Sequence, residues 1–417
     1  MRRLRTGSKQ VIRDINRSII LNLIKSHGAV SRAELTQLSS LAAPTVSDIV
    51  AVLLDEGLIV ETDTVISRRR GPRPVLLQLN VEGGAAVGIM LRADGMTLVV
   101  TDLMANVLHR AKQSFPPGLA PDELLEMVVD TIRVQVQQAG IAWDKVLGMG
   151  VGMTGVIDST TGICRESYIL GWSNVDVGGR LEAALAVPVH VDNDTKTLTV
   201  AEQHFGLGQQ RDFVLVTVGR GVGMGAVVNG ELLRGHHDVG AEFGHVTMAL
   251  DGPPCPCGNR GCLEAIASDV GIMQAAVAAD QVRYGGTTIE QLTAWALDGD
   301  EQLRHIFEHA GIMLGIGVAN LINLFAPELL VLTGEGLRAG ELLLQPLRRT
   351  LPQCTFRGRL EQTSLAVKPW DPEWEPWARG AATLVLDDML RLPLYEQASP
   401  VPPRRAKGAN SAPRPGH

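Results

Sequence analysis

The apolar positions of the first 80 residues keep a helical rhythm that then gives way to alternation. Ile15, Ile19, Ile20, Leu23 and Ile24 recur at the three- and four-residue spacing of one helix face, which predicts a helix over residues 12–24, closed by His27-Gly28. Ser31-Arg32-Ala33-Glu34 is a capping box that opens a short helix through Leu38. A turn at Ser39-Ser40-Leu41 leads into a second helix over residues 44–56, with Pro44 suited to its first position and Gly57 closing it. Val46, Ile49, Val50 and Leu53 are the core-facing positions of that helix. Thr45, Ser47 and Asp48 lie at its exposed start. A short helix, a tight turn and a longer helix make the pattern of a helix-turn-helix module, whose second helix meets base edges. Leu58-Ile59-Val60 and residues 75–79 read as two strands around the basic tip Ser67-Arg68-Arg69-Arg70-Gly71-Pro72-Arg73-Pro74, the wing of a winged helix.

From Val81 the pattern changes to Gly/Ala/Val-rich strands alternating with helices, an α/β body. Strands are expected at 86–90, 98–102, 146–151, 189–191 and 329–332. Helices are expected at 124–139, 179–186, 271–279, 289–296, 301–323 and 378–390. Gly152 to Asp158 reads as a loop whose glycines let backbone approach a ligand. Trp370, Trp374 and Trp377 crowd together as packing. Three regions follow: a winged helix-turn-helix domain at 1–80, an α/β domain at 81–395, and a tail at 396–417 rich in Pro, Arg, Gly and Ser that is expected to be disordered.

Length and charge sharpen this division. A chain of 417 residues is too long for one core. Its 45% hydrophobic and 20% charged residues are ordinary for a globular protein. No uninterrupted apolar run reaches the ~18 residues of a membrane span, and no apolar segment follows the basic start, so a cytoplasmic protein with reduced cysteines and no membrane partner is expected. The first 80 residues carry 12 lysines and arginines against 7 acids, and the remainder carries 26 against 38. A basic head on an acidic body fits double-stranded DNA as a partner. The competing reading is a solvated basic loop on a small protein-interaction domain.

Candidate chemistry is densest between Gly240 and Glu264. Cys255, Cys257 and Cys262 lie within eight residues, and His245 precedes them. These are the four ligands of a closed tetrahedral zinc site, structural because every position is filled by protein. A disulfide or unconnected thiols are the alternatives. Glu242 and Glu264 bracket the set. Gly-x-Glu-x-Gly-His followed by Cys-x-Cys-Gly-x-x-Gly-Cys-x-Glu resembles the ROK family of bacterial sugar kinases and sugar-responsive repressors.

That resemblance extends over the body to about residue 390. It implies an actin-like, ribonuclease-H-like ATPase fold of two lobes around a cleft. Gly71 to Pro74 resembles the wing of ROK repressors, which places Arg73, beside Arg69 and Arg70, in a minor groove. In ROK kinases an Asn-Asp pair at a strand end binds a sugar hydroxyl and takes the proton from the hydroxyl being phosphorylated. The matching positions are Asn193 and Asp194. The alternative for this pair is an Asx turn that caps a helix. The implied sugar site is Asn193, Asp194, Glu242, His245 and Glu264. Ionised carboxylates accept from adjacent hydroxyls, and a metal-bound histidine offers its other nitrogen as a donor.

The phosphate loops depart from the kinase pattern. Where kinases have Asp-x-Gly-Gly-Thr, this chain has Met90-Leu91-Arg92-Ala93-Asp94. Arg220 in Gly219-Arg220-Gly221-Val222-Gly223 stands where kinases have a small hydroxylated residue. The resulting expectation is a transcriptional regulator and no enzyme: a repressor, assembled as a homodimer or higher homo-oligomer, that answers a sugar or sugar phosphate. The alternative is an ATP-dependent sugar kinase with an added DNA-binding head.

Overall fold

The computed structural model of the chain describes residues 9–62, 75–116, 118–209, 211–369 and 373–390. The head comprises α1 (Lys9–His27), β1 (Val30–Ser31), α2 (Arg32–Ser39), α3 (Ala43–Asp55), β2 (Ile59–Thr62) and β3 (Leu76–Leu79). The capping box forms as expected. The Glu34 N–H donates to Ser31 Oγ at 3.3 Å, and the Ser31 N–H donates to Glu34 Oε2 at 2.8 Å. Ser40 turns the chain with a left-handed φ of 56°, and α3 leaves at 119° to α2. Pro44 is the second residue of α3, one place later than expected, after a non-capping Ala42. Val46, Ile49, Val50 and Leu53 are buried, Ser47 and Asp48 are exposed, and Thr45 is half-buried. The three strands form an antiparallel sheet in the order β1-β3-β2. The expected wing, with Arg69, Arg70 and Arg73, lies outside the described residues, as do Trp370 and the tail.

The body begins with β4 (Ala85–Arg92), β5 (Gly95–Thr101), β6 (Val107–Ser114), α4 (Pro121–Gln138) and β7 (Val146–Met153). It continues with β8 (Val156–Asp158), β9 (Ile163–Ser167), β10 (Trp172–Asp176), α5 (Val177–Leu185), β11 (Val189–Asn193) and α6 (Asp194–Phe205). The expected loop at 152–158 is therefore shorter than its glycines implied, because only Thr154 and Gly155 separate β7 from β8. The second lobe holds β12 (Phe213–Val218), β13 (Val222–Val228), β14 (Glu231–Leu232), α7 (Leu263–Ala267), α8 (Asp269–Ala279), α9 (Gln281–Tyr284) and α10 (Ile289–Leu297). It ends with α11 (Glu301–Phe325), β15 (Leu329–Thr333), α12 (Glu341–Cys354) and β16 (Ser364–Val367), after which α13 (Glu375–Leu390) returns to the first lobe.

The two large sheets share one plan. The first runs β11-β7-β4-β5-β6 and the second β14-β13-β12-β15-β16. In each, three antiparallel strands are extended by two parallel ones. This duplicated sheet is the two-lobed, actin-like architecture. α13 lies directly on the first sheet because Gly88 and Gly150 leave room for it; a Cβ there meets Ala378 O at 2.0 Å and Ala381 O at 1.7 Å. Head and body share one apolar core, with Ile20, Leu21 and Ile24 of α1 in the same cluster as Trp377, Ala382 and Val385 of α13.

α11 is long and apolar enough by composition to cross a membrane, although polar residues interrupt its apolar run as the sequence showed. Here its apolar face, with Leu303, Phe307, Leu314 and Val318, is the centre of the second lobe's core. Gly311 and Gly315 seat it against α12.

Candidate functional site

β11 runs parallel to β7, with Asn193 opposite Met153 at the strand ends, and α6 begins at the next residue. Asn193 is the N-cap of α6. Its Oδ1 accepts from the N–H groups of Thr195 (3.0 Å) and Lys196 (3.3 Å), and its Nδ2 donates to Gly155 O at 3.2 Å. The helix-capping reading of this residue is thus realised. Asp194 Oδ1 accepts from the Thr195 N–H at 2.7 Å and Oδ2 from Thr154 Oγ1 at 3.0 Å. Burial raises the Asp194 carboxyl above its ordinary range, against these hydrogen bonds.

The opposite wall is the segment from Glu242 to Glu264. Bridges pair Thr247 with Cys262 and Pro254 with Arg260, and the Leu263 N–H donates to Val246 O at 3.0 Å. Gly261 permits this fold with a left-handed φ of 65°; a Cβ there lies 1.6 Å from Ala249 O. His245 Nδ1 is 3.6 Å from Cys255 Sγ, and Cys257 Sγ is 3.7 Å from Cys262 Sγ. One donor atom from each of the four lies within 4.8 Å of the others. Zinc–sulfur bonds of ~2.3 Å at tetrahedral angles set sulfur–sulfur edges near ~3.8 Å, so the cluster fits an ion at its centre. The sulfurs are far beyond the ~2.05 Å of a disulfide, and all five cysteines are free. With Nδ1 turned to the thiols, Nε2 of His245 is the nitrogen left for other contacts.

The acids converge from both walls. Glu264, on α7, accepts from the Val222 N–H through Oε2 at 3.0 Å and from the Tyr168 hydroxyl through Oε1 at 3.5 Å. The Glu242 carboxyl is raised chiefly by burial, and also by the negative charges of Glu264 and Asp194; Lys196 and His245 oppose the shift. Asp194, His245 and Glu264 thus stand close enough to Glu242 to act on its charge.

Three features were not legible in the sequence. Tyr168 sits in the turn between β9 and β10 and reaches Glu264 across 96 residues of chain. Lys196 and Arg234 are largely buried with Asp192 and Asp238. Arg234 Nη1 is 2.7 Å from Asp192 Oδ2 and 2.8 Å from Ser159 Oγ, and Lys196 Nζ donates to Asp238 O. These contacts tie α6 to the loop after β14. Glu335 is the third. Its Oε1 accepts from the Arg220 N–H at 2.8 Å, and a Cβ on Gly219 would lie 2.1 Å from its carboxyl carbon. Only the Gly334-Glu335-Gly336 run hinted at a close approach.

The β4–β5 turn, where the kinase pattern has its glycine loop, is filled by an arginine. Arg92 donates to Asp94 Oδ1 and Thr97 Oγ1, both at 3.2 Å, and stacks 5.0 Å from the Trp374 ring. Trp374 packs edge-on against Trp377 at 5.4 Å, as packing predicts. Beside Glu335 opens a cavity of about 530 Å³, lined by Arg220, Asp269, Met273, Glu290, Glu335 and Arg338 among others.

A duplicated α/β body with an acid-lined cleft, a Cys/His cluster on one wall and a helical head defines a sugar-kinase-like regulator or kinase scaffold. The chain belongs to the ROK family, whose profile matches residues 86–388. It is 29% identical over 402 residues to a xylose repressor of Caldicellulosiruptor bescii, covering 93% of this chain and 100% of that one. The crystal structure of a ROK family transcriptional regulator, a homolog of the E. coli MLC protein, superposes with a TM-score of 0.79 at 26% identity over 91% of this chain and 98% of that one. A ROK glucokinase of Streptomyces griseus, solved with glucose and AMPPNP, superposes with a TM-score of 0.60 at 26% identity, over 72% of this chain and 99% of that one. The likeness to the regulators thus spans the head as well as the body, whereas the likeness to that kinase covers less of this chain.

Proposed function

We propose that this protein is a sugar-responsive transcriptional repressor of carbohydrate-metabolism genes. The observation that carries this reading is a helix-turn-helix head built onto the same core as a cleft whose kinase-type turn is occupied by Arg92. A monosaccharide or its phosphate lies in the cleft between Asn193 and Asp194 on one side and Glu242, His245 and Glu264 on the other. The acids accept sugar hydroxyls, and a site of this kind rejects analogues that leave a buried acceptor unpaired.

Zinc is the ion that suits three thiolates and one imidazole, and it acts structurally because no ligand position is open. When bound, it cross-links the loop that carries Glu242 and Glu264. The chain's own contribution is to turn His245 so that Nε2 donates into the cleft.

The head reads double-stranded DNA. Ser47 and Thr45 at the start of α3 meet base edges, and Arg69, Arg70 and Arg73 supply wing contacts whose strength falls with salt. Two heads in a homodimer read paired half-sites. The body performs no phosphoryl transfer: the Arg92 guanidinium is committed to Asp94, Thr97 and Trp374, and the Arg220 N–H is taken by the Glu335 carboxylate. ADP release from magnesium-ATP in the presence of D-xylose, D-glucose or N-acetyl-D-glucosamine tests this directly. No release above the protein-free rate is expected; sugar-dependent turnover contradicts it.

Sugar and DNA are coupled through α6. Its first turn carries Asp194, and its last residue, Phe205, lies under Lys25 of α1, with Nζ 4.1 Å from the ring centre. Burial lowers the Lys25 ammonium to about 8, partly offset by Asp387, which in turn holds His204 Nε2 at 2.6 Å. A ligand that prefers one position of α6 therefore biases the head, and only to the extent of that preference.

A further inference from the structure

The geometry points to Tyr168 as a sugar-specificity residue, an assignment that rests on the sugar-cleft reading above. The residue lies in the turn from β9 to β10, a segment anchored at both ends: Ser167 and Trp172 are buried in the first lobe. Between them Tyr168 projects toward the second lobe. Its hydroxyl reaches Glu264 Oε1 at 3.5 Å, so this contact crosses the cleft.

Two properties separate Tyr168 from a packing residue. The residue is 55% exposed even though its hydroxyl reaches Glu264, so much of the side chain is left uncovered beside that acid. An aromatic face with a polar tip suits a monosaccharide, which presents an apolar C–H face and a rim of hydroxyls. Burial of the hydroxyl, and with it the negative charges of Glu264 and Asp194, holds it protonated. It therefore acts as a donor.

The consequence for Glu264 is specific. The Val222 N–H holds Oε2, and the Tyr168 hydroxyl holds Oε1. These two donors fix the carboxylate plane and so decide which sugar hydroxyls find a free lone pair. The ring closes the remaining side and limits the bulk a sugar carries there. Tyr168 thus positions Glu264 through its hydroxyl and sets the size limit through its ring.

Calorimetric titration of the full chain with D-xylose, D-glucose, N-acetyl-D-glucosamine and their phosphates tests this, using Tyr168→Phe and Tyr168→Ala, with bound metal and Tm measured alongside. Tyr168→Phe is expected to weaken the preferred sugar about tenfold while keeping the rank order. Tyr168→Ala is expected to narrow the ratio between the preferred sugar and the next. Metal content and Tm stay at wild-type values in both, which a merely structural role does not predict for the narrowed ratio. Wild-type affinity in Tyr168→Phe together with a wild-type ratio in Tyr168→Ala overturns the assignment alone. Failure of the wild-type protein to bind any of these sugars or phosphates overturns the sugar reading and this assignment with it.

Discussion

Asp194 begins α6 at the edge of the cleft, and its chemistry sets a pH dependence. Its carboxyl is raised by burial, so the folded chain keeps this proton longer than the unfolded chain does. The stability contributed by the protonated form is complete below the ordinary carboxylate value and is lost as pH rises through the raised one. In the proposed site, sugar hydroxyls donate to the ionised form. Sugar affinity is therefore expected to fall as pH drops through the raised value. Asp194→Asn is expected to bind sugar roughly 10–100-fold more weakly and to lose the part of that pH dependence that Asp194 supplies, Glu242 keeping its own. Calorimetry across a pH series reads both; an unchanged profile in Asp194→Asn contradicts the role. Cys257→Ser removes one of four metal ligands. It is expected to lower bound zinc by elemental analysis and sugar affinity in parallel, whereas full sugar binding by the zinc-free variant refutes the supporting role of the metal. At this scale the sequence was most informative where donors sit close along the chain. Cys255, Cys257, Cys262 and His245 lie within 18 residues and meet as their spacing implied. Tyr168 and Glu335 escaped because their partners are 96 and 115 positions away.

Elements were legible where one face is apolar or a cap is explicit. The Ser31–Glu34 box closed as written, and Ser31→Ala is expected to cost about 1 kcal/mol in urea unfolding. A change below ~0.3 kcal/mol is inconsistent with a working cap. α12 was not foreseen, because Pro346 and Pro352 interrupt its helical signal; it persists because Leu343, Leu344, Leu347 and Leu351 are buried against the second lobe. α6 is the element that the functional account depends on. Phe205→Ala removes the ring under Lys25, a partly desolvated cation–π contact worth about 1 kcal/mol. The sugar-induced change in DNA affinity is expected to shrink roughly fivefold while sugar affinity is kept. An undiminished response in this variant rules out the α6 route.

Across the whole molecule, the α/β alternation announced the body, yet the duplication of one five-stranded plan is a matter of strand order, which periodicity does not carry. The charge split is equally a whole-chain property: a basic head is joined to an acidic body. The proposed coupling of head and cleft rests on the shared core of α1 and α13 and on the reach of α6. The most direct measurement is a titration of the full chain against the DNA upstream of its own gene, at fixed salt, with and without D-xylose, D-glucose, N-acetyl-D-glucosamine and their phosphates. One of these is predicted to weaken DNA binding by roughly 5–150-fold, the usual span of an allosteric coupling. Equal affinity in the presence and absence of every one of them contradicts the account.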